Sequence, residues 1–142
     1  MIQKVVWDFP PLYEEIAAAF KLRRDQGIIF SWGGRVFNPD GLSISPPLAA
    51  HEAVHGARQG TVEANIVDWW KRYIDDVRFR LEEEIPAHQA EYRWFIEHGN
   101  RNQRRIALKQ TAARLASPLY GRLVGVSTAR DMLKRGRSLE SA

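Results

Sequence analysis

The stretch Leu48-Ala49-Ala50-His51-Glu52-Ala53-Val54-His55 carries the pattern H-E-x-x-H. On a helix, His51 and His55 lie one above the other, because residues four apart are neighbours on one face. Two imidazoles so placed can bind one zinc ion. Glu52, beside the first of them, can reach a metal-bound water and take its proton. The flanking sequence predicts the helix. Ser45-Pro46-Pro47 supplies an N-cap and a proline at the first helical position. Gly60 stops the helix after Gln59, and Thr61 is placed to cap the next one. Apolar Leu48, Ala49, Ala53, Val54 and Ala57 predict that much of the motif helix is buried.

Upstream, Asp8 before Pro10-Pro11 reads as a helix entry, with an amphipathic run from Leu12 to Asp25 ended by Gly27. Ile28 to Trp32, then Gly33-Gly34, then Arg35 to Phe37 predicts a β-hairpin. Asn38-Pro39-Asp40-Gly41 is a second turn, and Leu42 to Ser45 alternates as a third short strand would. Downstream, helices are expected over Val62–Ile74, Phe79–Glu97 with Pro86 inside or at a kink, Arg101–Leu115, and Thr128–Arg135. Trp69, Trp70, Trp94 and Phe95 read as core aromatics, with a specificity pocket as the alternative for them. Trp32, beside the glycine pair, is placed to overhang a cleft.

The 142 residues suffice for one domain with a real core. With no cysteine, disulfides, Cys-containing zinc ribbons and thiol nucleophiles are excluded, so any zinc must be held by His and carboxylate. No segment approaches the ~18 apolar residues of a membrane span. Met1 to Asp8 has no signal-peptide layout, so a cytoplasmic protein is expected, with packaging into a virion or release on lysis compatible with it. Charge is uneven. Residues 1–99 carry 11 Lys and Arg against 15 Asp and Glu, and residues 100–142 carry 10 against 2. The basic segment lacks the aromatic interleaving of a single-strand binder, and it reads as a solvated helical face rather than a nucleic-acid surface.

A catalytic zinc takes three protein ligands and keeps one position open. Glu82, Glu83, Glu84, Glu91, His88 and His98 are candidates for the third. Glu84 is favoured, because it opens Glu84-Ile85-Pro86-Ala87 on a second predicted helix, where Ala87 suits a close helix approach. His88 and Glu91 share its face. They and Gln59 are candidates to hydrogen-bond and brace the ligand imidazoles or their helix.

His51-Glu52-Ala53-Val54-His55 with Glu84-x-x-Ala87 resembles a zincin metallopeptidase of the gluzincin kind. The span from about 28 to 98 is similar to short peptidase-like proteins carried by phages and prophages. His88 departs from the pattern, standing where larger gluzincins carry an Asp that orients the first ligand. Arg58 and Thr61 exclude the metzincin branch, which has a Gly and a His at those places. The resemblance implies an α+β, mostly helical, single zincin-like domain, with a small antiparallel sheet ahead of the H-E-x-x-H helix and a basic helical segment over 100–142. It implies Zn²⁺ on His51, His55 and Glu84, with Glu52 as general base in peptide-bond hydrolysis. Tyr73, Tyr120, His88 and Arg122 are oxyanion-donor candidates. Ser31, Trp32 and Ser43 are candidates for pairing with an extended peptide or protein substrate. Three other readings are a repressor-cleaving regulatory protease, a metal-binding structural or virion module without turnover, and a basic nucleic-acid-associated protein. The first usually carries a DNA-binding or sensing domain, for which these 142 residues leave no length. Glu52 argues against the second, since a purely structural site needs no base.

Overall fold

The computed structural model describes residues 3–140; Met1 and Ile2, part of the stretch read for a signal layout, lie outside it, as do Ser141 and Ala142. The order is β1 (Lys4–Val6), α1 (Tyr13–Phe20), β2 (Phe30–Trp32), β3 (Arg35–Phe37), α2 (Pro46–Gln59), α3 (Glu63–Asp75), α4 (Val77–His98), α5 (Arg101–Leu115), a 3₁₀ turn (Pro118–Tyr120) and α6 (Val126–Arg135). This is an α+β fold dominated by helices. Among the described residues no helix is long and apolar enough to cross a membrane.

The hairpin forms as the glycine pair predicts, with Phe30 opposite Phe37 and Trp32 opposite Arg35. Gly33 adopts φ +62, the left-handed conformation that the first turn position of such a hairpin requires. The predicted strand Leu42–Ser45 does not form. Asn38 takes the backbone groups that a ladder would use: its Nδ2 donates to the Leu42 carbonyl at 2.8 Å and its Oδ1 accepts from the Leu42 N–H at 3.0 Å. The third strand is β1, which pairs parallel with β3, Lys4 opposite Arg35 and Val6 opposite Phe37. The sheet is therefore mixed, in the order β1-β3-β2, rather than purely antiparallel.

Helix α1 is shorter than its amphipathic run. Lys21 turns into the left-handed region at φ 55, and the N–H groups of Lys21 and Leu22 both bond back to the Ala17 carbonyl, closing the helix at Phe20. Helix α3 begins after Val62 and α6 after Gly125, so neither Thr61 nor Thr128 is the cap. Helix α4 begins after Asp76, whose carboxylate accepts from the Phe79 N–H, and runs through Pro86 at the loss of one intrahelical bond.

The buried face of α2 also differs from the prediction. His51, Glu52, His55, Gly56 and Gln59 are buried, whereas Ala49 and Ala57 are exposed and Leu48, Ala53 and Val54 half-buried. The reason is what α2 packs on. One side meets the hairpin so closely that a Cβ on Gly56 would lie 2.2 Å from the Gly33 carbonyl oxygen. The other side meets the polar face of α4, where Ala87 allows the approach. Two apolar cores flank this polar seam. One gathers Tyr13, Ile16, Phe30, Trp32, Trp69 and Trp70 around α1, the hairpin and α3. The other gathers Leu81, Ile85, Ala112, Leu115 and Met132 around α4, α5 and α6. Phe95 packs on the second core, and Trp94 lies half-buried against Phe95 and His98.

Candidate metal centre

Helix α2 sets His51 and His55 one turn apart, and α4 brings Glu84 to meet them. Nε2 of His51 and Nε2 of His55 each stand 3.1 Å from Oε1 of Glu84. These three residues form the cluster whose ligand atoms all lie within 4.8 Å of one another. Zinc bonds of ~2.0–2.1 Å place tetrahedral ligand atoms about 3.3 Å apart. The observed spacing is close to that edge length, and two imidazoles with a carboxylate form a donor set that zinc accepts.

The surroundings hold these three side chains in place. Nδ1 of His51 donates to Oε1 of Glu91 at 2.9 Å, which aims Nε2 at Glu84. Arg114, on α5, donates to the other Glu91 oxygen. Tyr73, on α3, donates its hydroxyl proton to Oε2 of Glu84. Nδ1 of His55 is buried with no hydrogen-bond partner among the described residues. Burial disfavours a charged His51, but its bonds to Glu84 and Glu91 prevail and hold its pKa up to about 10. Burial would raise the Glu84 carboxyl, but the His55 charge and the bonds from His51 and His55 keep it well below the usual carboxylate range. Glu91 is likewise held at about 2, against burial, by His51 and Arg114. A negative pocket of this kind is balanced by a cation, whether a proton or a metal ion.

The three consecutive glutamates separate cleanly. Glu82 pairs with Arg78 at 3.1 Å on the outer side. Glu83 accepts both arms of the Arg58 guanidinium, at 2.9 and 2.7 Å, and the Trp69 indole N–H at 2.8 Å. Only Glu84 faces the imidazoles. His88, almost fully buried, donates from Nδ1 to the Glu84 backbone carbonyl at 2.7 Å, and burial pushes its pKa down to about 4. Its ring packs on His51, but Glu91 is the residue bonded to the His51 Nδ1. Gln59 touches the hairpin instead of the imidazoles: its Oε1 accepts from Gly33 N–H at 2.7 Å and its Nε2 donates to the Ser31 carbonyl at 3.1 Å. His98 is exposed at the end of α4.

Glu52 lies in the wall of a cavity of about 370 Å³ that also takes in His51, His55 and Glu84. The Ser31 hydroxyl bonds to Glu52, 2.5 Å from its Oε2 and 2.9 Å from its carbonyl oxygen. Comparisons with protein-family models, curated proteins and solved structures gave no match to this chain.

That geometry corrects several expectations. The Tyr73 hydroxyl proton is committed to Glu84 and is not free to donate to an oxyanion. Tyr120 is buried beside the cluster but is not among the residues lining the cavity, and burial and the Glu84 charge both push its phenol up. Arg122 is exposed. Trp32 is 0% exposed, with its indole N–H 3.1 Å from both carboxylate oxygens of Glu63, so it overhangs no cleft. Ser43 is exposed on the loop that replaces the predicted strand. The Ser31 carbonyl accepts from Gln59 and from the Trp70 indole N–H at 3.0 Å, which occupies both of its lone pairs.

Three contributors lie outside the reach of the sequence pattern. Ile16 and Phe20 of α1 line the cavity, and their amphipathic run signals burial without saying against what. Arg114 comes from the basic segment, and only three-dimensional proximity ties it to Glu91.

Proposed function

We propose that this chain is a zinc-dependent peptidase that hydrolyses a peptide bond with Glu52 as general base. The observation that carries the reading is the convergence of two Nε2 atoms on one Glu84 oxygen, beside a cavity that Glu52 also lines. His51, His55 and Glu84 would hold the ion. When bound, zinc supplies Lewis acidity to a carbonyl oxygen and acidifies water. Glu52 takes the proton of the attacking water and returns it to the leaving nitrogen. Ser31 holds Oε2 of Glu52, which leaves Oε1 for that proton. Glu91 keeps the His51 ring in place and Tyr73 keeps the Glu84 carboxylate in place. The resemblance of His51-Glu52-x-x-His55 and Glu84-x-x-Ala87 to gluzincins supports the same assignment.

The test is elemental analysis of protein purified without an affinity tag, for wild type, His55→Ala and Glu84→Ala. The expected result is one zinc per chain in wild type and none in either variant. Peptide-library cleavage by wild type should then be lost in Glu52→Gln, which keeps its zinc. A wild type that takes up no zinc, or that carries stoichiometric iron instead, overturns the reading.

A further inference from the structure

We propose that the substrate is gripped through one large apolar side chain buried in the cavity beside His51, Glu52 and His55, and not by strand addition along β2. The inference deepens the peptidase reading and rests on it for the word substrate. Two independent features support it.

The first is the chemistry of the walls. Ile16, Phe20, Leu22, Ile28, Phe30 and Leu119 line the cavity. Trp69 and Trp70 complete it, and both indole N–H groups are already spent, on Glu83 and on the Ser31 carbonyl, so these rings present carbon. Apart from the cluster itself, Glu52, Ser31 and Tyr73, the only other polar side chain lining it among the described residues is Gln26. The volume of about 370 Å³ lies within the ~300–1,000 Å³ of ordinary ligand pockets. Charge does not favour a cationic guest. A divalent ion with Glu84 and Glu52 sums to zero, and both carboxylates already have partners. A lysine or aspartate side chain would lose its hydration there for no return, whereas an aromatic or leucine side chain gains by leaving water.

The second feature is the engaged edge of the sheet beside the cavity. Strand β2 is one of its two outer strands and the one that lines the cavity, so it is the place where an extended peptide would add. Its Ser31 carbonyl already accepts from Gln59 and Trp70, and the Gly33 N–H already donates to Gln59. A peptide strand therefore finds the outward carbonyl at the centre of β2, and the N–H of the turn that follows it, engaged by this chain's own side chains.

The experiment titrates the full chain, with one equivalent of zinc and again after chelation, with N-acetyl-phenylalaninamide, N-acetyl-leucinamide, N-acetyl-lysinamide and N-acetylglycinamide, following the indole N–H signals by NMR. The Trp69 and Trp70 signals should shift with the phenylalanine and leucine amides, with affinities at least tenfold above those of the lysine and glycine amides. Methylating the backbone nitrogen of the phenylalanine probe should change its affinity less than threefold. Ile28→Asp, on a half-buried wall position, should abolish binding, and Ile28→Leu should retain it. Equal affinity for lysine, no shift with any amide, or a tenfold loss on N-methylation overturns the proposal. Because the probes need no metal, chain that takes up zinc but ignores the amides loses this inference alone. Chain that binds the amides but takes up no zinc loses the peptidase reading.

Discussion

Tyr73 donates its hydroxyl proton to Oε2 of Glu84, while Oε1 of the same carboxylate stands 3.1 Å from Nε2 of both His51 and His55. The two oxygens thus have different surroundings. Oε1 faces the two imidazoles and Oε2 is engaged by a phenol that stacks on Trp69 at 4.9 Å. In the proposed zinc site Glu84 would therefore ligate through one oxygen, which would keep a vertex open for water. Tyr73→Phe removes the restraint with little change in volume. Zinc affinity should fall roughly 10–100-fold, the usual effect of losing a group that orients a ligand, as read by competition with a chromophoric chelator. In the cobalt-loaded protein the visible absorption should weaken as Oε2 joins the coordination sphere. Unchanged affinity and spectrum would leave Tyr73 with a packing role only.

The same cluster sets the pH dependence of the metal-free fold. His51 is held up to about 10 from 6.5, so its contribution is fully present below pH 6.5 and is lost as pH rises toward about 10. Glu91 is held down to about 2 from 4.5, so its contribution is present above pH 4.5 and is lost as pH falls toward about 2. His88, pushed down to about 4 from 6.5 by burial, binds its proton more readily in the unfolded chain, so it too costs stability as pH falls below 6.5. Urea midpoints of chelated protein should therefore peak near pH 6.5 and fall on both sides. Glu91→Gln should lower the peak and flatten the acid limb. A midpoint that rises steadily from pH 5 to 9 would show that these two groups do not govern the fold.

Much of this was legible in the sequence where one short range of residues decides the outcome. The hairpin follows from Gly33-Gly34, α2 from Ser45-Pro46-Pro47 and Gly60, and the side-by-side placement of His51 and His55 from four-residue spacing on α2. The rest depends on partners distant along the chain. The Leu42–Ser45 alternation is a valid strand pattern, yet the Asn38 side chain binds Leu42 first. The apolar residues of α2 pointed to the wrong buried face, because the helix packs on α4 through its polar side. Nothing local marks Glu91 rather than His88 as the His51 partner, since both lie on the inner face of α4 and only the ring geometry separates them.

Gly56 sets how closely the motif helix meets the hairpin. A Cβ there would lie 2.2 Å from the Gly33 carbonyl oxygen, a backbone atom that cannot swing aside, and 2.4 Å from Nε2 of Gln3. Gly56→Ala improves helix propensity but forces α2 away from β2, which strains the Gln59 and Ser31 bonds. Overpacking of this kind costs about 1–3 kcal/mol. Thermal melting should show a drop of several degrees, and Gly34→Ala, with no atom within 4 Å of its Cβ, serves as the control. Equal melting temperatures for the two variants would mean that the hairpin shifts without cost.

Zinc binding should release a proton. Near pH 8 a His51 held up to about 10 is protonated, and it must shed that proton before its Nε2 can ligate. Calorimetric titration of chelated protein with zinc, run in two buffers of different ionisation enthalpy, should count about one proton released from this group per zinc. The apparent affinity should then rise about tenfold per pH unit between roughly pH 7 and 9 through this one proton. Glu91→Gln tests the cause. Without the Glu91 carboxylate His51 holds its proton less tightly, so the count at pH 8 should fall while zinc still binds. A variant that releases the same count would move the competing proton away from the His51–Glu91 pair and onto another member of the cluster.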